Sequence, residues 1–200
     1  SFRVHWQGQG GRAPDDEYVA RVVGKMGKTS RDKRDLYYRL AKEAGYRARA
    51  AFKLSQLDDT LDLLRARADG RALRIADLCA APGGWTQVVA ERCTGSRVVA
   101  VDLKEIAPLE GVEMVLGDIT SSATAREVVT LLGGDADVVL CDGAPDVIGL
   151  GDVDDYLQNR LVLEALRMAV AISNRGGCFV SKIYRGRDVT TLLLEMRKSY

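Results

Sequence analysis

After Gly70 the chain alternates short apolar runs with stretches of helical character, and this alternation constrains its fold more than any other feature. Leu73 to Leu78 (LRIADL), Val98 to Val101 (VVAV), Val112 to Leu116 (VEMVL), Ala136 to Cys141 (ADVVLC) and Cys178 to Ile183 (CFVSKI) each have the length and β-branched content of a buried strand. Between or after them lie helical candidates at Trp85 to Arg92, Ala123 to Leu132, Asp155 to Ile172 and Val189 to Arg197. Strands separated by helices pair side by side through crossovers, so the pattern predicts an α/β fold. Its expected form is a doubly wound, mostly parallel sheet with helices on both faces. No internal repeat or low-complexity segment interrupts it.

A chain of 200 residues has room for one such domain with a sizeable core. No stretch reaches the roughly 18 to 20 consecutive apolar residues of a membrane span, and the first 25 residues lack the apolar run of a signal peptide. The expected location is cytoplasmic. Cys79, Cys93, Cys141 and Cys178 form no CxxC pair, and His5 is the one histidine, so neither a metal site nor a disulfide framework is expected.

Residues 1–25 contain a Gly/Gln patch and no sustained periodicity, and Met26-Gly27 reads as a plausible native start. The preceding segment is therefore expected to be an expression scar or flexible extension outside the fold, with residues 26–200 forming a single domain. Ala50, Leu54, Leu57, Leu61 and Leu64 recur at helical spacing, which predicts a helix running to about Arg67 and closed at Gly70. The domain then divides into a helical head, residues 27–67, and the α/β core, residues 70–200.

The head is basic. From Gly27 to Lys53, nine cations (Lys28, Arg31, Lys33, Arg34, Arg39, Lys42, Arg47, Arg49, Lys53) stand against Asp32, Asp35 and Glu43, whereas residues 54–200 carry an acidic excess that brings the whole chain to +1. Tyr37, Tyr38, Tyr46 and Phe52 are interleaved with the cations, a mixture that suits a polyanion whose bases can stack. The alternative is a solvated amphipathic helix face.

In a doubly wound sheet, ligands bind beyond the carboxyl ends of the strands. The first predicted strand ends in DLCAAPGGWTQ, where Gly83 and Gly84 let backbone approach a ligand and the next helix offers free amides. A glycine turn also simply connects elements in many α/β proteins. The second strand ends at Asp102, the place of a ribose-binding carboxylate, which points to an adenosine-type ligand. Asp118 follows the third strand and Asp142 the fourth. Each alone reads as a turn former; in succession at strand ends they outline a crevice. Lys182 interrupts the apolar fifth strand near its end, and a lysine there needs a partner, for which Asp142 on the adjacent strand end is the candidate.

The head MGKTSRDKRDLYYRLAKEAGYRARAAFKL, the loop DLCAAPGGW, the turn CDGAPDV and the strand SKIYRGRD together resemble the FtsJ-type ribose 2′-O-methyltransferases, in the branch that modifies the tRNA anticodon loop. The resemblance runs from about Met26 to Asp188. It implies S-adenosylmethionine as cofactor and S-adenosylhomocysteine as product. Gly83, Gly84 and Trp85 would hold the cofactor, with Asp102 on its ribose, Asp118 near its adenine and Asp142 near its methionine end. Of the family's Lys-Asp-Lys-Glu catalytic set, Lys53, Asp142 and Lys182 match the first three, Lys182 as proton acceptor or positioning group. The glutamate has no counterpart before Tyr200, and two further strands expected after the last helix are missing, so the sheet is expected to lack its far edge. Lys28, Arg31, Lys33, Arg34, Arg47 and Arg49 would track RNA backbone. The resemblance further implies tRNA as substrate and an auxiliary protein subunit that selects the nucleotide.

Three other readings stay open on these residues. One is a ribosomal RNA 2′-O-methyltransferase, and another a non-catalytic RNA-binding scaffold of the same fold. A nucleotide-binding oxidoreductase lacks its GxGxxG after the first strand and leaves Lys182 and the basic head without a role.

Overall fold

The structure, a computed structural model, describes residues 2–7, 19–22, 31–65, 69–145, 149, 151–183 and 194, with side chains from residue 36 onward. Five parallel strands form the core: β3 (Arg74–Leu78), β4 (Arg97–Asp102), β5 (Val112–Leu116), β6 (Ala136–Cys141) and β7 (Ser173–Ile183). The crossovers between them are α3 (Gly84–Arg92), α4 (Ser122–Leu132) and α5 (Gly151–Ile172). The head contributes α1 (Arg31–Glu43) and α2 (Ala51–Leu61).

Sheet order from one edge is β5-β4-β3-β6-β7. The chain lays down β3, β4 and β5 in one direction and then returns to place β6 and β7 on the other side of β3. The direction of winding reverses between β3 and β6, and the loops leaving those two strands diverge there to open a crevice.

Side-chain alternation splits the core into two layers. Ala76, Leu78, Val99, Val101, Val139, Cys141 and Phe179 pack with α4 and α5, while Ile75, Val98, Val138, Leu140 and Val180 pack with α2 and α3. By the same period, Asp77 and Lys182 fall on the face of α2 and α3, the face that the head covers. Asp77 and Lys182 thus share the strand face on which the head packs.

A polar clamp ties the opposite ends of the strands. Asp137 accepts both terminal nitrogens of Arg71 (3.0 and 2.7 Å), the Arg74 amide (2.9 Å) and Asn174 Nδ2 (2.5 Å). Burial pushes this carboxyl up, but those donors outweigh it and hold the pKa below the ordinary value.

The structure corrects three expectations. The segment set aside as an extension supplies β1 (Phe2–Gln7) and β2 (Val19–Val22), and β1 pairs antiparallel along β7 with Phe2 opposite Ile183 and Gln7 opposite Cys178. The fifth core strand is therefore not an edge, and the sheet has seven strands. β1 is not the continuous apolar run by which the core strands are read, since Arg3, His5 and Gln7 alternate with Phe2, Val4 and Trp6, and the Gly/Gln patch follows at once. The head's second helix ends at Leu61 rather than near Arg67, because Asp62 turns left-handed (φ 52°) and the Leu64 amide bonds back to Asp58 Oδ1 (2.8 Å). Leu64 stays buried from this turn, which is why the apolar spacing outlasts the helix. Finally, β7 starts at Ser173 rather than at the expected Cys178, taking in Asn174–Gly177, with a register shift against β6. The helix expected at Val189 to Arg197 lies outside the described residues apart from Leu194, which is helical. Among the described residues no helix is long and apolar enough to cross a membrane.

Candidate active site

The crevice beyond β3, β4, β5, β6 and β7 encloses about 690 Å³, within the range of small-molecule sites. The ends of β3, β4 and β6, the Gly117 to Thr120 turn and one side of α5 line it, and Asp102, Asp118, Asp142 and Lys182 all reach it. A smaller hollow of about 30 Å³, the size of a water, shares Cys79, Ala81 and Asp142 with it and is closed by Ala48, Ala50, Asp77 and Trp85.

Lys182 Nζ stands 3.0 Å from Asp142 Oδ1 and donates to the Asp142 carbonyl at 2.5 Å. Both side chains are about three-quarters buried, so the ammonium is partly desolvated and held by two acceptors from a single residue. The partnership expected from the sequence is present.

Asp102 braces the crevice floor. Its Oδ2 accepts the Ala81 amide and its Oδ1 the Lys104 amide, each at 2.9 Å. One lone pair remains on each oxygen, the arrangement a vicinal diol needs from a carboxylate. Asp118 Oδ1 accepts both the amide and the hydroxyl of Thr120 at 2.8 Å, which lowers its pKa.

Asp77 is fully buried at the end of β3, where Oδ2 accepts the Thr86 hydroxyl at 2.6 Å and Oδ1 has no partner among the described residues. Burial, opposed by the Thr86 bond and reinforced by the Asp142 and Asp102 charges, raises its pKa to about 7.

The glycine loop, expected to admit a ligand, also admits the head. A Cβ on Gly84 would lie 2.9 Å from the Ala48 Cβ, and one on Gly83 would lie 2.9 Å from the Arg47 guanidinium. Gly83 also has φ 103°, which favours glycine. Trp85 is 2% exposed and donates from Nε1 to the Ala50 carbonyl at 3.0 Å. All three residues seat the head against α3, and Gly84 and Trp85 also line the small hollow.

Arg47 is likewise engaged within the protein. Its guanidinium donates to the carbonyls of Ala107 (2.6 Å) and Pro108 (2.8 Å), and its amide donates to Gln87 Oε1 (2.7 Å). It braces the segment after Asp102. Arg49 is exposed, Arg31, Lys33 and Arg34 fall on α1, and Lys28 lies outside the described residues. Lys53 is half-buried on α2 and is not among the residues that line either hollow. Of the head aromatics, Phe52 packs on Tyr46 (ring centroids 5.4 Å) and Tyr37 (6.1 Å), while Tyr38 is 65% exposed. Most of this set thus consolidates the head.

Residues 46–200 match the FtsJ-like methyltransferase family. The chain belongs to that family. The FtsJ-like domain is similar to the "tRNA (cytidine(32)/guanosine(34)-2'-O)-methyltransferase" of Mus musculus, 54% identical over 86% of this chain and 53% of the relative, and to that of Homo sapiens, 53% identical over 86% and 52%. It therefore spans about half the length of these curated relatives. The "Ribosomal RNA large subunit methyltransferase E" of Methanothrix thermoacetophila is 44% identical over 86% of the chain and 65% of the relative. Among solved structures, a putative ribosomal RNA methyltransferase from Plasmodium falciparum superposes with a TM-score of 0.67 and 26% identity over 76% of this chain and 86% of that one.

The sequence reading of this FtsJ-like domain missed the α5 wall, where Leu157 and Leu161 line the crevice, and the brace from Arg47. The wall could have been found from the apolar residues beside the predicted helix face. Arg47 carried no signal that separates an internal brace from an RNA contact. No group of three or more His, Cys, Asp or Glu that could hold a metal occurs among the described residues.

Proposed function

We propose that this chain is the methyltransferase portion of a cytoplasmic tRNA 2′-O-methyltransferase acting on riboses of the anticodon loop. The observation that carries the reading is the Lys182–Asp142 pair, partly desolvated at the wall of a crevice whose other strand ends carry Asp102 and Asp118. The tRNA named in the more identical relatives favours that substrate over ribosomal RNA.

The crevice suits S-adenosylmethionine: Asp102 keeps acceptor capacity for a ribose diol, Asp118 stands at the next turn toward an adenine, and Asp142 toward an ammonium. When bound, that cofactor supplies a methyl group on a positively charged sulfur, open to in-line displacement. The protein's part is to align the attacking 2′-oxygen and to polarise its hydroxyl. Asp142 fixes Lys182 through its carboxylate and its carbonyl, so the ammonium cannot swing into solvent. As the neutral amine, Lys182 can keep both of those bonds with its two N–H groups and take the 2′-hydroxyl proton on its lone pair, becoming the ammonium that Asp142 stabilises, while the exposed cations of the head, Arg49 foremost, follow the RNA backbone. Lys53, half-buried on α2 within the head, adds its charge beside them. An auxiliary protein that selects the nucleotide completes the proposal.

The test is methyl transfer from labelled S-adenosylmethionine to unmodified tRNA by the full-length protein, beside Lys182→Ala. Transfer that disappears in Lys182→Ala supports the reading. Retained tRNA binding without transfer by either protein would favour a scaffold, and label in ribosomal RNA alone would favour the second substrate.

A further inference from the structure

The apolar stripe of α5 runs through Val162, Ala165, Ala169 and Ile172, all buried, and its first member by the same spacing is Gln158, a polar residue that is 0% exposed. An amide at such a position needs a reason. Its Nε2 donates to the Gly143 carbonyl at 3.2 Å and to the Lys182 carbonyl at 3.1 Å, while Oε1 finds no donor among the described residues. One amino group thus spans two chain segments, the residue after Asp142 and Lys182 itself.

That placement matters because the parallel ladder between β6 and β7 runs only to Cys141 opposite Ser181. Asp142 and Lys182 come next in the chain, beyond the last β6–β7 pair, so although Lys182 pairs with Arg3 of β1, the β6–β7 ladder does not fix its separation from Asp142. One turn earlier on the same helix, Asp154 is also buried and accepts the Gly149 amide at 3.1 Å, tying down the far end of the loop that follows Gly143. The buried polar face of α5 thus continues the ladder by other means.

We infer that Gln158 is a positioning residue for the Lys182–Asp142 pair: its amide holds the backbones of Gly143 and Lys182 at the spacing that lets Lys182 Nζ reach Asp142 Oδ1 and the Asp142 carbonyl. It touches no reacting atom and acts through the carbonyls it bonds. The inference rests on the proposed role of Lys182. Displacing a reacting group by about 1 Å costs on the order of 100-fold in rate, so a slack strand end should appear in turnover before it appears in binding.

The experiment compares Gln158→Met, which keeps length and volume without donors, with Gln158→Glu and Lys182→Ala in the full-length protein. Initial rates on unmodified tRNA are measured with S-adenosylhomocysteine affinity by calorimetry. Gln158→Met should lower kcat by roughly 10- to 100-fold, with KM for tRNA and S-adenosylhomocysteine affinity within about threefold of the parent. Gln158→Glu should be as slow at pH 8 and recover part of its rate relative to the parent as pH falls, because a protonated carboxyl regains one donor. A kcat within about twofold of the parent, or a cofactor affinity that falls in step with the rate, overturns the inference. Should Gln158→Met fail to fold, absence of the relative recovery in Gln158→Glu overturns it alone. Full activity in Lys182→Ala would instead sink the underlying reading, whereas an inactive Lys182→Ala beside a normal Gln158→Met would sink only the role of Gln158.

Discussion

Trp85, at the start of α3, donates its indole N–H to the Ala50 carbonyl at the entrance of α2, and this bond locks the basic head onto the sheet face that carries Asp77 and Lys182. The glycine before it makes the seat possible, since a side chain on Gly84 would press into Ala48. Head and crevice are therefore one rigid arrangement along this contact, and a defect in the seat should be felt on both sides.

Gly84→Ala tests that coupling. The added Cβ would stand 2.9 Å from the Ala48 Cβ and 3.4 Å from its carbonyl oxygen, so backbone must shift. A loss of about 1–3 kcal/mol is expected, read as a lower thermal midpoint, together with weaker tRNA binding. An unchanged midpoint would mean that the head adjusts freely.

Arg47 and Arg49 are two positions apart and should behave differently. Arg49→Glu should weaken tRNA binding and flatten its dependence on log salt by an amount on the order of one phosphate contact, about 0.7, without touching cofactor affinity. Arg47→Ala should weaken cofactor binding as well, because two carbonyls of the segment after Asp102 lose their donor. Filter binding across a salt series and calorimetry with S-adenosylhomocysteine separate the two.

Asp102→Ala is expected to reduce cofactor affinity at least about tenfold and to leave tRNA affinity nearly unchanged. Asp102→Asn should lie between, as it retains one carbonyl oxygen to accept the Ala81 or Lys104 amide. Equal loss of cofactor and tRNA binding would show that the residue is only structural.

Asp77 predicts a dependence of stability on pH. Its folded pKa of about 7 lies above the unfolded value of 3.8, so the protonated carboxyl is the form favoured by folding. The full stability is present below the unfolded pKa and is lost progressively as pH rises toward 7, a difference on the order of a few kcal/mol. Asp77→Asn, which can still accept the Thr86 hydroxyl, should abolish this slope between about pH 4 and 7 and be more stable than the parent at pH 8. Identical thermal midpoints against pH for the two proteins would refute the assignment.

Asp137 carries the opposite sign. Its pKa is depressed in the folded state, so its contribution is present above the unfolded value and fades as pH falls through the folded one. Asp137→Ala should cost about 2 kcal/mol at neutral pH by leaving Arg71, Arg74 and Asn174 without their acceptor, and that cost should shrink in acid.

The core strands were legible because each is a short apolar run between turns, and strand ends are where a doubly wound sheet places ligands. That reasoning reached Asp102, Asp118, Asp142 and Lys182 directly, and the Lys182–Asp142 contact followed from the cost of a lone buried cation. It went no further where a residue type admits two uses. Arg47 among eight other cations of the head looks the same as its neighbours until the carbonyls of Ala107 and Pro108 are brought to it from about sixty positions away. Gly83 and Gly84 advertise close approach without saying of what, and one partner is the head.

Local pattern alone determined the class of fold, the order of its core elements and the acidic crevice with Lys182 at its wall, because apolar periodicity and strand-end chemistry are properties of neighbouring residues. Only the tertiary structure decided that the first residues pair along β7, that the head is seated by Trp85 and Gly84, and that Gln158 bridges two strand ends. Those contacts join residues far apart in the chain, and their energies depend on which partners the fold delivers.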